Sequence, residues 1–216
     1  MVTDDFGVAP ELRAAARIGL LKIDNVRVQE SSEELKLLLA ELAEETVRRY
    51  ANSAAGEIPA VQAVRRILHK AGVDPTRYRA SSEALLRRVL KSKGLYHVNS
   101  AVDLVNYFSL KMLWPMGLFD AALIKPPVLF RSGRAGETYQ GIGREVLNLE
   151  GFPLLADSEG PFGSAISDSM RTRVTEVASS VLWVTFAPAG AEIDFEAFAS
   201  GMIRFNGGSV KMATQL

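Results

Sequence analysis

Three polar side chains lie about one helical turn apart in a mostly apolar stretch, VNSAVDLVNYFSLKMLWPMGLFD, residues 98–120. Asn99, Asp103 and Asn106 follow one another at spacings of four and three residues, which places them on one face of a helix. Amide and carboxylate groups gathered on one face can bind a polar ligand or form hydrogen bonds with a neighbouring element. The stripe therefore predicts either a polar pocket or a polar contact within the fold.

Local structure offers an explanation for part of this stripe. Ser100 and Asp103 have the spacing of a capping box, in which Asp103 would accept a hydrogen bond from the Ser100 amide. Asn99 would then lie in the incoming turn. Asn106 is in mid-helix, where Asn is a poor helix former, and its amide needs partners. From the residues alone, a contact with the strand-rich half of the chain is favoured over a pocket.

Basic residues are concentrated just before this stretch. Residues 61–100 hold nine Lys or Arg and two acids, whereas residues 1–60 hold seven basic and eleven acidic side chains. Such a window is a candidate phosphate-facing surface. The alternative is a pair of solvated helix faces whose charge the acidic first segment balances.

Composition restricts the remaining classes of function. The 216 residues are 48% hydrophobic and 23% charged, with no Cys and two His. No metal and no cofactor are therefore expected, because thiolate ligands are absent and imidazoles are scarce. No stretch approaches the roughly 20 apolar residues of a membrane span, and the first residues lack a basic and then apolar pattern. The expectation is a cytoplasmic protein without a membrane partner, with its oligomeric state open.

The elements that must position these residues follow from periodicity, caps and breakers. Helices are predicted over about 31–52, 59–71, 81–94, 98–114 and 193–205. Short strands are predicted within 16–28 and over 127–131, 136–140, 152–158, 179–188 and 209–213. The chain is expected to form one α+β domain over 1–216, with a helical first half packed on a layered mixed β-sheet second half.

The motif in residues 98–120 resembles one found in the beta subunit of phenylalanyl-tRNA synthetase. That family carries Pro-Ile-Asn-x-Val-Val-Asp-x-Thr-Asn-Tyr, followed by Pro-Leu/Met-His-Ala-Phe-Asp. The resemblance extends over roughly 75–190 through RASSEALLRRVLKSKGL, the Arg of PVLFR, GETYQGIG and LADSEGPFGSAISDSMRT. The matching residues of the central motif are Asn99, Val102, Asp103, Asn106, Tyr107, Pro115, Met116, Phe119 and Asp120.

The resemblance implies a free-standing relative of the central tRNA-binding and editing domain, the B3/B4-type domain. In the synthetase this α+β domain hydrolyses tyrosine wrongly esterified to the tRNA for phenylalanine. The implied partners are tRNA, at its acceptor end, and an amino acid or aminoacyl moiety. The resemblance also favours the pocket role for Asn106.

Three positions depart from the family pattern. Gly117 stands where the family has a pocket histidine, and Val105 replaces the Thr before its Asn. The strand that carries a tyrosine-reading glutamate in the family has Trp183 and no acid. Without that acid the tyrosine hydroxyl lacks a charge-assisted hydrogen bond, so another amino acid is the expected target. Retention of catalysis stays open.

Ester hydrolysis can proceed without a nucleophilic side chain if backbone amides hold the carbonyl oxygen and a positioned group orients water. A Gly-rich loop, 160–169, can supply the amides, Asp168 can orient water, and Arg171 can pair with Asp168 or contact a phosphate. His97 can substitute for the missing histidine. The alternative is an ordinary polar loop in which Asp168 and Arg171 bond each other, with His97 a surface residue.

Three functions are consistent with these observations. The first is an aminoacyl-tRNA deacylase acting in trans, the second a non-catalytic binding module for an amino acid or similar small polar ligand, and the third a tRNA-binding or interaction module without a pocket. The first assigns catalysis to Asn106, Asp168 and His97, the substrate pocket to Asn99, Asp103, Gly117, Gly160, Gly163 and Arg171, and RNA binding to Arg65, Arg66, Arg87, Arg88, Lys91 and Lys93.

Overall fold

The structure is a computed structural model that describes residues 3–143 and 145–216. Its helices are α1 (Glu33–Tyr50), α2 (Pro59–Lys70), α3 (Ser81–Leu90), α4 (Ser100–Met112) and α5 (Phe195–Asn206). Its strands are β1 (Phe6–Val8), β2 (Ala16–Asp24), β3 (Met116–Asp120), β4 (Val128–Ser132), β5 (Thr138–Gln140), β6 (Val146–Asn148), β7 (Pro153–Asp157), β8 (Gly160–Ser164), β9 (Ser180–Pro188) and β10 (Ser209–Gln215). The predicted α+β class is confirmed.

The central sheet has the order β10-β2-β9-β3 with antiparallel pairing throughout. Its middle pair, β2 and β9, stays in register over nine residues, from Ala16 opposite Pro188 to Asp24 opposite Ser180. A strand from the first half of the chain therefore lies inside the sheet that was assigned to the second half.

A second sheet lies beyond the first, with the order β1-β4-β7-β8, and β5 pairs with β6 in a separate ribbon. Only the β1–β4 pair of the second sheet is parallel. The predicted layered, mixed arrangement is thus present among the described residues.

Each face of the central sheet is covered by its own apolar core, as the period of two along a strand requires. Val181 and Trp183 of β9 belong to the core under the helices. Leu182 and Val184 of the same strand belong to the core shared with the second sheet. β9 is buried at every position except its two ends, which explains its continuous apolar sequence.

Two segments differ from the sequence prediction. GPFGS, predicted to be part of a Gly-rich loop from 160 to 169, forms strand β8, paired with β7 from Leu154 opposite Ser164. MGLFD, for which no helix or strand was predicted, forms strand β3 at one edge of the central sheet. These two strands carry the glycines of the candidate site.

In the described part of the chain, no helix combines the length and apolarity that crossing a membrane requires.

Candidate functional site

The β3 edge, β8 and the segment after β8 bring a carboxyl group and two glycines together. Gly117 is in β3 and Gly163 in β8, and the chain after β8 turns back so that Asp168 forms a bridge with Gly163. A Cβ at position 117 would lie 3.1 Å from Asp168 Oδ1, and a Cβ at position 163 would lie 3.3 Å from the same oxygen. We call Gly117, Gly163 and Asp168 the acid site.

The ring of Phe119 explains why both neighbours of this carboxyl are glycine. Its Cζ would lie 2.6 Å from a Cβ at position 117 and 2.3 Å from a Cβ at position 163. Phe119 is fully buried and meets the Phe162 ring edge-on, with centroids 5.0 Å apart. The ring has little room to move aside, so a larger side chain at either position would overpack against it and destabilise the fold.

Burial raises the pKa of Asp168 to about 8, while hydrogen bonds from the backbone amides of Ser164 and Leu118 oppose this rise. At pH 7 the side chain is therefore mostly the neutral acid, which can donate as well as accept a hydrogen bond. A carboxyl that exchanges its proton near neutral pH is suited to general acid–base chemistry.

Arg171 does not pair with Asp168, so the sequence alternative of a bonded Asp–Arg loop is not observed. Its guanidinium donates to Asp157 at 2.8 and 3.1 Å and to Glu159 at 3.2 Å. It also reaches the carbonyl oxygen of Gly160 at 3.3 Å. Arg171 therefore closes the β7–β8 hairpin and leaves the Asp168 carboxyl without a cationic partner among the described residues.

The start of α4 is capped differently from the prediction. Asn99, rather than Ser100, is the N-cap, and its side chain accepts a hydrogen bond from the Val102 amide at 2.9 Å. Asp103 is fully buried and accepts from the Val98 amide at 2.8 Å and from the Ser31 hydroxyl at 2.6 Å. The predicted capping box is thus wrong by one residue, because the Ser100 amide donates to the carbonyl of Gln29 instead.

His97 and Asn106 lie near the two ends of this polar stripe. His97 is 52% exposed, with Nδ1 3.5 Å from the Asp103 carboxylate. Asn106 is half-buried, and its amide forms no hydrogen bond with any described residue. The contact with the strand-rich half that was favoured for Asn106 is therefore not observed.

The structure does not join the stripe to the acid site by a direct bond. Leu104 and Phe108 of α4 pack in the core that contains Trp183, whereas Phe119 and Phe162 belong to the other core. Within residues 3–143 and 145–216, no hydrogen bond or ion pair links Asn99, Asp103, Asn106 or His97 to Asp168. Trp183 is stacked on Phe198 with centroids 4.9 Å apart, so its position is filled by core packing.

Two of the predicted RNA-binding arginines neutralise a buried acid. Glu83 is 2% exposed and accepts from Arg65 at 2.7 and 2.9 Å and from Arg87 at 2.7 Å. Burial alone would raise the pKa of Glu83, but these hydrogen bonds lower it below its ordinary value. Arg65 thus connects α2 with α3, and Arg87 pairs with Glu83 within α3, roles that the sequence analysis did not predict.

The other four basic residues carry charges that no described acid pairs with. Arg66, Lys91 and Lys93 are exposed. The Arg88 guanidinium lies 3.8 Å from the centroid of the Tyr96 ring. Four cations are therefore available at the surface of the α2–α3 region.

A cavity of about 340 Å³ lies elsewhere, between α1 and α4, and its lining includes Glu41, Glu45, Arg49, Tyr107 and Lys111. Neither this cavity nor the apolar groove beside it includes a residue of the acid site. In the part of the chain that the structure describes, no cluster of His, Asp or Glu is arranged to hold a metal ion.

Sequence reasoning missed Phe119, Glu83 and Tyr96 as contributors to these surfaces. Phe119 is part of the motif, but nothing in the sequence places its ring between two glycines. Glu83 and Arg87 are four residues apart on a predicted helix, and that spacing was an available signal for an ion pair. Tyr96 follows a basic helix end, which was the only sign of its contact with Arg88.

Comparison with known proteins supplies the remaining observations. The model of the B3/4 domain family matches residues 63–200, more than half of the chain. The chain is 30% identical over 178 residues to the phenylalanine–tRNA ligase beta subunit of Corynebacterium glutamicum, covering 77% of this chain and 19% of that protein. It is 35% identical over 77 residues to the beta subunit of Paramagnetospirillum magneticum, covering 35% of this chain and 10% of that protein. The chain thus spans no more than a fifth of either relative.

A solved structure supports the fold. The chain is similar to an N-terminal fragment of the phenylalanyl-tRNA synthetase beta subunit from Pyrococcus horikoshii, with a TM-score of 0.52 and 15% sequence identity. The similarity covers 97% of this chain and 53% of the fragment. At this identity the match concerns the architecture alone.

Proposed function

Because the chain belongs to the B3/4 domain family, we propose that it binds the aminoacylated acceptor end of a tRNA and hydrolyses the ester of a mischarged amino acid in trans. The matched relatives are named as beta subunits of a tRNA ligase, which supports a tRNA partner. That this chain hydrolyses an ester, and which aminoacyl-tRNA it acts on, go beyond these names and are part of the proposal. The same proposal places the protein in the cytoplasm, where aminoacyl-tRNA is used.

One structural observation carries the assignment of chemistry. The Asp168 carboxyl lies beside Gly117, the motif position where the resemblance implies a pocket histidine. A pKa of about 8 gives this carboxyl a proton that is exchangeable near neutral pH, as an imidazole proton is. Asp168 thus offers, from a different strand segment, the kind of titratable group that the family motif has at position 117.

In the proposed reaction Asp168 acts as the neutral acid. Its O–H donates a hydrogen bond to the carbonyl oxygen of the ester, on which negative charge develops when water attacks the carbonyl carbon. The bond from that carbon to the ribose oxygen then breaks. The ribose oxygen keeps the electron pair and takes a proton, and the amino acid leaves as the free carboxylate. The water oxygen forms the new bond to the carbonyl carbon, one of its two protons ends on the ribose oxygen, and the other is released to solvent.

Asn106 and His97 keep the roles proposed from the sequence, whereas the predicted pocket residues Asn99, Asp103, Gly160 and Arg171 support the fold around the site. The Asn106 amide has no described hydrogen-bond partner, which leaves it available to a substrate. Asn99 and Asp103 hold the first turn of α4 in place, and Arg171 with Gly160 fixes the hairpin that carries Gly163. His97 is exposed beside Asp103 and is the second candidate for orienting water.

The test is deacylation of a panel of correctly and incorrectly charged tRNAs, each labelled on the amino acid, with a control lacking protein. Asp168→Ala removes the hydrogen-bond donor, and we expect release to slow by about a hundredfold. Glu176→Ala makes the same change at an exposed acid and serves as the matched control. Loss of the acid form should also make wild-type release fall as pH rises through about 8, after subtraction of uncatalysed hydrolysis.

Other results would contradict the proposal in recognisable ways. Release that rises through pH 8 would make Asp168 a base instead of an acid. If every charged tRNA is bound but none is hydrolysed, the chain is a tRNA-binding module. A rise in melting temperature with one free amino acid, without RNA binding, would indicate a small-molecule binding module.

A further inference from the structure

Tyr96 presents an exposed aromatic ring beside an arginine. The residue is 52% exposed, although the Arg88 guanidinium covers part of the ring at 3.8 Å from its centroid. Guanidinium groups at this distance bind the face of an aromatic ring and restrict its motion. Because more than half of Tyr96 remains accessible, the ring is held in place and still open to a ligand.

Arg88 carries a charge that the protein does not neutralise. Its Nε is buried without a hydrogen-bond partner among the described residues, and the guanidinium forms no ion pair with them. Glu83, five residues earlier in the chain, is occupied by Arg65 and Arg87. A cation left in this state favours an anionic ligand.

The segment that follows α3 extends this positive character. Lys91 and Lys93 are exposed, and no acidic residue occurs between Glu83 and Asp103. Both of those acids are themselves buried. This segment of the chain therefore combines an open aromatic ring with three cations and contains no carboxylate of its own.

We propose that Tyr96 is a stacking platform for an unpaired base of single-stranded RNA, with Arg88, Lys91 and Lys93 binding the adjacent phosphates. Stacking on an aromatic side chain requires a base whose face is free, which the bases inside a duplex do not offer. The Tyr96 platform rests on the proposed function, because it locates where the single-stranded end of a tRNA would lie. It assigns a role to Tyr96, which the predicted RNA-binding set does not contain.

The test is equilibrium binding of short labelled RNA by fluorescence anisotropy, without any aminoacyl ester. A single strand, a duplex with the same number of phosphates and a single strand with abasic positions are compared. Tyr96→Ala should weaken binding of the single strand by about five- to a hundredfold. Tyr96→Phe, which keeps the ring, should bind as the wild type does. Val177→Ala is the matched control, since Val177 is an exposed apolar residue elsewhere, 88% accessible.

Two further comparisons separate stacking from charge. Tyr96→Ala should leave the salt dependence of binding unchanged, and it should have no effect on the abasic strand. Lys93→Gln should reduce the slope of log affinity against log salt by about 0.7, the value for one phosphate contact in a single strand. Lys211→Gln, an exposed lysine on β10, should change neither quantity.

Equal loss of affinity by Tyr96→Ala for the normal and abasic strands would overturn the proposal, and so would unchanged affinity for both. Tighter binding of the duplex than of the single strand would also overturn it. These measurements use uncharged RNA, so absent hydrolysis of charged tRNA leaves them unaffected. Conversely, if the protein hydrolyses charged tRNA but Tyr96→Ala leaves its RNA affinity unchanged, the proposed function stands and the Tyr96 platform is refuted.

Discussion

Replacement of Asp168 by asparagine should stabilise the folded protein more at high pH than at low pH. Burial raises the pKa of this carboxyl to about 8, whereas the unfolded chain has a value near 3.9. The folded state therefore binds a proton that the unfolded state has released. This proton contributes to stability below about pH 4, and the contribution is lost as pH rises towards 8. Asparagine resembles the neutral acid and has no proton to lose.

The size of the effect follows from the two pKa values. A separation between folded and unfolded pKa changes the free energy of unfolding by about 1.4 kcal/mol for each pH unit between them. From pH 5 to pH 8 the wild type should therefore lose between about 3 and 4 kcal/mol relative to the variant. All other groups titrate in both proteins, so the difference between the two isolates Asp168.

Urea unfolding of wild type and Asp168→Asn at pH 5, 6, 7 and 8 measures this difference directly. Both proteins should show similar m-values, and the stability advantage of the variant should grow steadily with pH. A difference that is flat across this range would refute the argument, because it would mean that the carboxyl is ionised in the folded state at all four pH values. Glu176→Gln, the same change at an exposed acid, serves as the control.

Three further predictions concern the rest of the fold and its basic surface. Glu83→Ala should lower the free energy of urea unfolding by about 1–3 kcal/mol, because the Arg65 and Arg87 guanidinium groups lose their shared acceptor but remain partly accessible to water; an unchanged free energy of unfolding would contradict this ion-pair cluster. Gly163→Ala should cost about 1–3 kcal/mol by overpacking against Phe119, seen as a lower melting temperature. Lys91→Gln combined with Lys93→Gln should reduce the slope of log tRNA affinity against log salt by about 1.4, without changing the melting temperature. An unaltered slope would show that these lysines do not contact phosphates.

The helices were predictable because their signals are local. The predicted helix over 31–52 is α1, which begins after the Ser32 cap, where the side chain accepts from the Leu35 amide at 3.2 Å. α2 begins at Pro59, the helix position where a missing N–H has no cost. Strand β9 was also predicted almost to the residue, because a run of Val, Leu and aromatic residues has few alternatives.

The strands that carry the acid site were not predictable in the same way. β8 has the sequence GPFGS, whose Gly, Pro and Ser are typical of turns. It becomes a strand because β7 offers a partner and because Phe162 is buried between the sheets. Tertiary contacts therefore outweigh local preference in this segment.

The candidate site was predictable as residue types and not as an arrangement. Gly117, from the motif, and Asp168, from the Gly-rich loop, were assigned to one candidate site, but the Asp168 pKa depends on burial that only the folded chain creates. The concentration of basic residues in 61–100 was visible in the sequence. Which of them pair with Glu83 and which have no acidic partner was not. Arg87 is four residues from Glu83 on α3, whereas Arg65 reaches Glu83 only because the fold brings α2 close to α3. These contacts decide which charges remain for a ligand.

The pairing of β2 with β9 determines when the protein can fold during its synthesis. β2 leaves the ribosome early, and its partner is complete only after Pro188 has emerged. Closing so long a segment of chain is entropically costly and makes the central sheet a late step. Until then apolar residues such as Leu20 and Leu21, both buried in the finished sheet, are available to chaperones and to wrong partners. The residues matched by the family model, 63–200, begin beyond β2, so a fragment cut to that match would leave β9 without its central neighbour.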